Sequence, residues 1–346
     1  MPGLRQIQSD TSPLPEGWSD PAVVEDTVVA DGVELRRAGL SSTGPAGEEV
    51  TGAAVDAAIS PLDRSYFELL ERVSTLEALR CRRPSYRLLT ADAEPVGDRT
   101  GADLFPESDE PARWRYARSN GVALHSSWRT ASLRASWELA ERDHVLRAWV
   151  GETRPVRLDI STDSTPLGGA PSYEWWAYEF PRSEAGELSR GVHVVGIFGF
   201  PICGDVPLVN GFGARPEPKD ALDAAVRETM QLLGFLWGEP PLDRLPEPAP
   251  TPLHHLEHFQ WPDHHDGLRR WLERGHERFF RGRRPEPRES DRSRGRRVAF
   301  VDLTPAWLRG GLRVAKAVCD AAMPLAFGDA PFTAHLPAEL RIHPIA

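Results

Sequence analysis

Two pentapeptides with the pattern E-x-x-E-R carry the strongest structural signal in this sequence, Glu68-Leu69-Leu70-Glu71-Arg72 and Glu138-Leu139-Ala140-Glu141-Arg142. Each lies in a stretch whose apolar residues recur at helical spacing. Because residues three and four apart share one face of a helix, each copy projects two carboxylates and a guanidinium from a single stripe. Two such stripes facing one another would surround a cavity with carboxylates and guanidinium groups. That arrangement suits divalent cations that bridge a polyphosphate, with the arginines binding phosphate oxygens directly.

The alternative interpretation is that each stripe is a solvated helix face with ion pairs inside the helix. The sequence around the second copy favours the functional interpretation. Ser119-Asn120-Gly121-Val122-Ala123 precedes that copy and Asp143 follows it directly. Together they resemble the signature "SNG-x-A…E-x-x-ERD" of the YcaO family. The first copy, followed by Val73-Ser74, resembles that family's earlier E-x-x-ER-x-S helix.

Further pieces of the chain resemble the same family in the same order. Asn210 to Ala214, followed by Glu228 to Gln231, resembles the family's glycine-containing turn and its "AL…E-x-x-Q" segment. The matching pieces nearer the carboxyl terminus are Val301 to Thr304, Gly311 to Val314, Met323 to Gly328 and His343-Pro344. Each piece is short, but their common order makes the resemblance specific.

The resemblance implies an activity and its cofactors. Members of the family use ATP and Mg²⁺ to activate the oxygen of a peptide amide, so that it leaves as phosphate. The products are an azoline ring, a thioamide or an amidine, according to the nucleophile. By this resemblance the chain is an ATP-dependent, cyclodehydratase-like enzyme that modifies a ribosomally made peptide in a natural-product pathway. The expected partners are the peptide and a separate leader-peptide-binding protein.

The resemblance also assigns roles to individual residues. The expected magnesium ligands, direct or acting through another ligand, are Glu68, Glu71, Glu138 and Glu141. Arg72 and Arg142 would contact phosphate or fix those carboxylates. The remaining ATP-binding positions are Glu228, Gln231 and Ser126. No residue is assigned a catalytic role.

Three positions depart from the family pattern. Ser126 and Thr130 stand where many members carry N-x-x-x-E, and Ala224 stands where a basic residue is common. A threonine at position 130 removes a hard oxygen ligand that water replaces only in part. These departures favour the alternative function, a catalytically reduced scaffold that binds a peptide or a partner protein without turning over ATP. A third option is another ATP-using ligase that acts on a free acid.

Composition restricts the class of protein. The 346 residues are 40% hydrophobic and 27% charged, which is typical of a globular chain. No apolar run is long enough to span a bilayer and the first residues lack a signal-peptide core, so a cytoplasmic protein without a membrane segment is expected. Three scattered cysteines form no C-x-x-C pair. A net charge of -10 argues against nucleic-acid binding through phosphate contacts.

Periodicity predicts an α+β fold with helices packed on mostly antiparallel sheets, and the resemblance places the ATP and Mg²⁺ site along the E-x-x-E-R helices. Residues 1–50 are expected to be irregular apart from a short strand at 33–37, and residues 51–346 to form one family-like domain. The predicted helices and strands follow. Helices are expected at 62–80, 128–149, 220–237 and 267–280, and strands at 156–160, 173–180, 192–198, 296–302 and 312–318.

The remaining segments have simpler interpretations. Residues 82–118 are expected to be irregular, and a mobile loop is expected near 281–297. The aromatic residues from Trp175 to Phe180 are expected to pack one sheet face into a core, rather than to stack on a ligand. The histidines from His254 to His265 are expected in a wet surface loop, rather than in a zinc site. The oligomeric state is left open, with a homodimer as one option.

Overall fold

A computed structural model describes residues 14–159, 165–182, 191–202, 206–274, 298–308, 311–337 and 340–346. The chain forms two compact units that are interleaved in sequence. Unit 1 contains the described residues within 1–105, 118–138 and 298–318. Unit 2 contains those within 106–117, 139–297 and 319–346. Each unit combines helices with antiparallel sheets, which confirms the predicted α+β class.

The strands in chain order are β1 (Ala22–Ala30), β2 (Val33–Thr43), β3 (Glu49–Asp56), β4 (Ser85–Leu89), β5 (Pro95–Thr100), β6 (Trp114–Tyr116), β7 (Val122–His125), β8 (Val156–Arg157), β9 (Tyr173–Glu179), β10 (His193–Pro201), β11 (Val209–Arg215), β12 (Ala299–Asp302), β13 (Arg313–Val318) and β14 (Ala326–Gly328). The α-helices are α1 (Leu62–Arg80), α2 (Gly101–Leu104), α3 (Trp128–Trp149), α4 (Pro218–Leu236), α5 (Pro252–Gln260) and α6 (His265–Arg274). None of these helices is long and apolar enough to cross a bilayer.

Unit 1 contains two antiparallel sheets. The first has the order β1-β2-β3, and the second has the order β5-β4-β12-β13-β7. Helix α1 packs on the first sheet and also contacts β7 of the second. Its buried face, which includes Leu69, Leu70 and Val73, joins the core of this unit. The helix therefore presents its glutamates to both sheets.

Unit 2 is built on a four-stranded antiparallel sheet with the order β11-β10-β9-β8. The predicted neighbours at 156–160, 173–180 and 192–198 do lie side by side as β8, β9 and β10, although residues 160–164 lie outside the described residues. Helix α4 packs on β10 and β11. A short pair, β6 with β14, completes the sheets described in this unit.

The two long helices around the E-x-x-E-R pentapeptides have the predicted bounds, and α4 starts two residues early because Pro218 is suited to a first helical turn. Helix α6 is described from His265 to Arg274, so the rest of the predicted helix at 267–280 and the predicted mobile loop near 281–297 lie outside the described residues.

Three regions differ from the sequence-based expectations. Residues 22–30 and 33–43 form strands, although only a short strand at 33–37 was expected within residues 1–50. Strand β1 is exposed along nearly its whole length, so it lacks the alternation of a half-buried strand. Residues 82–118 contain β4, β5, β6 and α2, and the prediction of an irregular stretch is wrong there. Residues 210–214, expected to be a turn, form most of β11.

Glycines explain why the sequence of β11 does not predict a strand. A Cβ atom on Gly211 would lie 2.4 Å from the Thr229 amide nitrogen, and one on Gly213 would lie 2.3 Å from the Ala221 carbonyl oxygen. Helix α4 can approach β11 only because both positions lack side chains. Unit 1 repeats this feature, since a Cβ atom on Gly52 would lie 2.0 Å from the Ser65 carbonyl oxygen of α1.

This close approach yields a stability prediction for Gly52. Replacement by alanine would force α1 away from β3, so Gly52→Ala should lower the free energy of unfolding by about 1–3 kcal/mol. Gly39→Ala on the neighbouring strand β2 is the matched control, because a Cβ atom there meets nothing within 4 Å. Urea denaturation should show a change of no more than about 0.5 kcal/mol for the control. Equal effects of the two substitutions would contradict the packing account.

Candidate functional site

Three of the predicted metal ligands lie in unit 1 and interact there; we call Glu68, Glu71 and Glu138 the carboxylate cluster. Helix α1 carries the first two one turn apart, and α3 carries the third. Each accepts a hydrogen bond from a backbone amide. The amide nitrogens and their distances to the carboxylate oxygens are Ala53 to Glu68 at 3.0 Å, Leu124 to Glu71 at 2.8 Å and Gly121 to Glu138 at 3.3 Å.

Burial and mutual repulsion dominate the electrostatics of the cluster. Burial, and next the charge of Glu138, raises the pKa of Glu71 to about 8. The Glu68 carboxylate acts in the same direction, whereas the Leu124 amide and Arg72 oppose the rise. The Glu71 carboxyl group therefore holds a proton near neutral pH unless another cation replaces it.

Arg72 fixes a carboxylate of this cluster. Its guanidinium lies 2.5 Å from Glu68 in an ion pair and donates a hydrogen bond of 2.9 Å to the Thr51 carbonyl oxygen. Both contacts restrain the Arg72 side chain beside Glu68. The side chain is half exposed, so its pairing with Glu68 is screened by solvent.

The donor chemistry of the cluster fits magnesium. Mg²⁺ prefers oxygen ligands, and it usually keeps several waters and substrate phosphate oxygens alongside one or two carboxylates. One oxygen of each cluster carboxylate is anchored on an amide, which fixes the direction of the other. Among the described residues no group of three or more His, Cys, Asp or Glu side chains is placed so that it could hold a metal ion by itself. The cluster can thus supply part of a magnesium shell, with water and phosphate oxygens as the rest.

Unit 2 contains a separate cavity of about 260 Å³, which we call the unit 2 pocket. Its lining contains both polar and apolar side chains. The polar residues are Arg142, Asn210, Glu228, Gln231 and His255. The apolar residues include Phe212, Leu232, Phe235, Leu253, Leu256 and Phe259. Such a lining suits a ligand with a flat apolar part and a few polar groups.

Hydrogen bonds and ion pairs hold the polar side chains of the pocket in place. The Phe212 amide donates a hydrogen bond of 2.8 Å to Glu228. The Arg142 guanidinium lies 3.1 Å from Glu141 and 3.9 Å from Glu228. The Asn210 amide group donates to the Pro344 carbonyl oxygen at 3.2 Å. Arg142 therefore lies between two carboxylates at the edge of the cavity.

The structure brings together some predicted site residues and not others. Arg142, Glu228 and Gln231 line one pocket, and Glu141 is buried and forms an ion pair with Arg142 in unit 2. Ser126 is exposed in unit 1 and hydrogen-bonds to His125 at 3.2 Å. No hydrogen bond among the described residues joins its hydroxyl to the cluster.

The three departures from the family pattern also have definite positions. Thr130 is partly buried and its hydroxyl bonds to Ser127 at 2.8 Å. Ala224 is buried on α4, where its methyl group lies against Gly213 of β11. A long basic side chain at position 224 would need another direction, because β11 occupies the space over that methyl group.

The histidine-rich segment is not a surface loop. His254, His255 and His258 are buried in α5, and the prediction of a wet loop is wrong because these residues form the inner face of an amphipathic helix. His255 donates to the His343 carbonyl oxygen at 3.0 Å through Nδ1 and accepts from the Gly328 amide at 3.0 Å through Nε2. These two bonds require the neutral ring.

The aromatic residues of β9 pack into a core, as predicted. Trp176, Tyr178 and Phe180 are buried, and the Phe180 ring stacks on Trp271 of α6 with centroids 5.7 Å apart. These rings therefore stabilise unit 2 and leave the unit 2 pocket to other side chains.

Three residues at these sites were not assigned a role there from the sequence. Asn210 and His255 line the unit 2 pocket, and Lys316 is buried beside the loop that holds Glu138. For Lys316 a signal was present, since it is the one charged residue in the apolar run from Val314 to Val318. Asn210 and His255 are brought to the pocket by strand and helix packing, which short-range patterns do not report.

Comparison with known proteins gives a family match and a fold match. The sequence profile of the family described as YcaO cyclodehydratase, ATP- and Mg²⁺-binding, matches residues 100–321. A search of curated protein sequences found no match.

Several solved structures share the fold at low sequence identity. YcaO from Methanopyrus kandleri, bound with AMPPCP and Mg²⁺, is 18% identical with a TM-score of 0.58, over 86% of this chain and 84% of that one. A heterocyclase in complex with substrate and cofactor is 16% identical with a TM-score of 0.59, over 93% of this chain and 52% of that one. The chain thus spans about half of that heterocyclase. A chain of the E. coli microcin synthetase McbBCD complex is 12% identical with a TM-score of 0.56, over 89% and 90%.

The raised pKa of Glu71 predicts a pH dependence of stability without metal. Its pKa of about 8 in the folded protein lies above the ordinary value of 4.5, so its contribution to stability is present at low pH and is lost as the pH rises from about 4.5 through 8. Glu71→Gln should remove this loss, which has a limiting slope of about 1.4 kcal/mol per pH unit. Chemical denaturation in EDTA between pH 5 and 9 measures it. Parallel curves for the variant and the wild type would contradict the assignment.

The buried histidines predict a loss of stability in acid. Burial, with His264 and His254 nearby, lowers the pKa of His258 to about 3, and burial lowers that of His343 to about 4. Stability present above pH 6.5 should therefore fall as the pH drops toward 4. His258→Phe keeps an aromatic ring and removes one titrating group, so thermal melts should show a shallower fall. A fall as steep as that of the wild type would exclude His258 as a contributor.

Proposed function

The chain belongs to the YcaO family, and from that premise we propose that it uses ATP and Mg²⁺ to activate a backbone amide of a peptide. The product would be an azoline, or a thioamide or amidine, in a ribosomally made and modified peptide. ATP supplies the phosphoryl group that converts the amide oxygen into a leaving group. The residues of this chain bind, orient and neutralise charge, as is usual in phosphoryl transfer.

The observation that carries the proposal is the carboxylate cluster. These carboxylates are partly buried, and Glu138 and Glu68 repel the charged form of Glu71, so a cation would stabilise the group. The amides of Ala53, Leu124 and Gly121 hold the carboxylates in fixed directions. A solvated helix face with ion pairs would need no amide anchors from other elements. We therefore assign Mg²⁺ binding to Glu68, Glu71 and Glu138, with Arg72 restraining Glu68.

For the nucleotide we propose the unit 2 pocket. A cavity of about 260 Å³ can hold a group the size of a nucleoside, and its apolar residues can pack against a base. Arg142, Glu228 and Gln231 would supply polar contacts at one side. Arg142 already balances Glu141 and Glu228, so a phosphate oxygen would compete with these carboxylates for its guanidinium. Ser126 stays a prediction as an ATP contact, and Glu141 stays one as a metal ligand.

Peptide and protein partners are part of the proposal by similarity. One neighbouring heterocyclase structure holds a substrate, and an McbBCD structure holds pro-MccB17. We propose a peptide substrate and a separate leader-binding partner for this chain, in the cytoplasm where ATP is supplied. A homodimer remains a prediction.

The second candidate function is a scaffold that binds peptide or partner without turning over ATP. It is favoured by the exposed Ser126 and by the buried Ala224, which leave two family positions without their usual polar groups. In that case the carboxylate cluster would have only a structural role, held by its hydrogen bonds from backbone amides.

A calorimetric titration separates the two candidates. The wild type should bind ATP in the presence of Mg²⁺, and Glu71→Gln and Glu138→Gln should each weaken that binding by at least about tenfold, because each removes a charge from the cation site. Glu77→Gln is the matched control. Glu77 lies on the same helix but bonds to Trp18 and Arg80, outside the cluster, so its substitution should leave binding unchanged.

Two results of this titration would contradict the proposal. A folded wild type that binds no ATP at millimolar concentration, with or without Mg²⁺, would favour the scaffold. Binding that needs Mg²⁺ but is unchanged in Glu71→Gln and Glu138→Gln would refute the assignment of the cation to this cluster.

A further inference from the structure

Unit 1 contains a buried lysine that the proposed function does not use. Lys316 lies on β13, opposite Val122 of β7, and is only 6% exposed. Its ammonium donates hydrogen bonds to the carbonyl oxygens of Asn120 at 2.7 Å and Arg118 at 3.1 Å. A lysine is rarely buried unless its charge is balanced.

The loop that receives these bonds also holds a member of the carboxylate cluster. Gly121 follows Asn120 directly, and its amide donates to Glu138 at 3.3 Å. The same glycine accepts a hydrogen bond of 2.7 Å from the Ala317 amide, next to Lys316. Lys316 and Glu138 are therefore attached to the same four-residue loop, 118–121.

Charge balance connects the two side chains. Burial lowers the pKa of Lys316 to about 8. The charge of Glu138 acts in the opposite direction, because it favours the protonated lysine. Two carbonyl oxygens stabilise the ammonium but carry no net charge. Within unit 1 the described residues thus place Glu138 at this loop, Glu71 at Leu124 of β7, and the buried ammonium of Lys316 on the same loop as Glu138.

We propose that Lys316 is a positioning residue that acts as the resident counter-ion of the carboxylate cluster. Its ammonium is held in place by the carbonyl oxygens of Arg118 and Asn120, and it neutralises Glu138 while the cluster holds no divalent cation. When a cation binds, the ammonium repels it, so Lys316 sets the affinity of the cluster for metal. Only this second consequence rests on the proposed function.

The competing explanation is a lysine that merely ties two carbonyl oxygens together. Lys316→Gln distinguishes them, because glutamine keeps N–H donors and removes the charge. Lys316→Met removes both. If Lys316 only holds the two carbonyl oxygens together, Lys316→Met should lower the melting temperature and Lys316→Gln should change it little. If Lys316 is a counter-ion, both substitutions should remove the energetic coupling between position 316 and Glu138.

The first test is a double-mutant cycle in EDTA, which needs neither metal binding nor activity. Lys316→Gln should lower the melting temperature by at least about 4 °C in the wild-type background. The same change in the Glu138→Gln background should lower it by less than half as much, because no carboxylate charge is then left unbalanced. A Glu77→Gln background serves as control and should show the full drop. Equal drops in the wild-type and Glu138→Gln backgrounds overturn the proposal.

The second test adds MgCl₂ alone to the same proteins. The MgCl₂ concentration that gives half of the maximal rise in melting temperature should be about tenfold lower for Lys316→Gln than for the wild type. An unchanged or higher concentration for the variant overturns the role in metal affinity. If the wild type shows no rise while the EDTA cycle remains coupled, the counter-ion stands and the proposed magnesium site fails.

Discussion

Partly buried carboxylates anchored on backbone amides are the constraint on which the candidate sites of the two units depend. Removing an ionised carboxylate from water is expensive unless hydrogen bonds and opposite charges replace the lost hydration. Glu68, Glu71, Glu138 and Glu228 each accept such a bond from the amide of a strand or loop residue. Because strand pairing fixes those amides, the fold itself fixes the carboxylate directions. Any ligand of these groups meets a preorganised set of oxygens.

The same local device occurs once in each unit. In unit 1 helix α1 packs over Gly52, and its Glu68 accepts the amide of the next residue, Ala53. In unit 2 helix α4 packs over Gly211, and Glu228 accepts the amide of Phe212. A glycine lets the helix approach the strand, and the glutamate then satisfies an amide that the approach brings within reach. At these two places the contact that packs the helix on the strand also supplies the hydrogen-bond acceptor for a strand amide.

The sequence predicted the parts of this arrangement that depend on short-range pattern. The helices at 62–80 and 128–149 follow from unbroken helical spacing, and the strands around Trp176 follow from alternation. Strand β11 was missed because its glycines serve a contact with α4 that lies outside any local window. The histidines of α5 were misjudged because prolines on both sides suggested a loop, although Pro252 stands where a helix begins.

The same limit of short-range pattern applies to the candidate site. Residue types and spacing identified Glu68, Glu71 and Glu138, since two helices each display carboxylates on one face. They did not identify Lys316, whose importance comes from pairing β13 with β7 and so placing an ammonium under the loop that holds Glu138. Nor could spacing show that Glu141 forms an ion pair with Arg142.

The most direct test of the central claim is anomalous diffraction from crystals grown with ATP and Mn²⁺, which takes the same oxygen ligands as Mg²⁺. An anomalous peak within coordination distance of the Glu71 and Glu138 carboxylates is the result that the account predicts. Nucleotide density accompanied by Mn²⁺ peaks only at other carboxylates would contradict it.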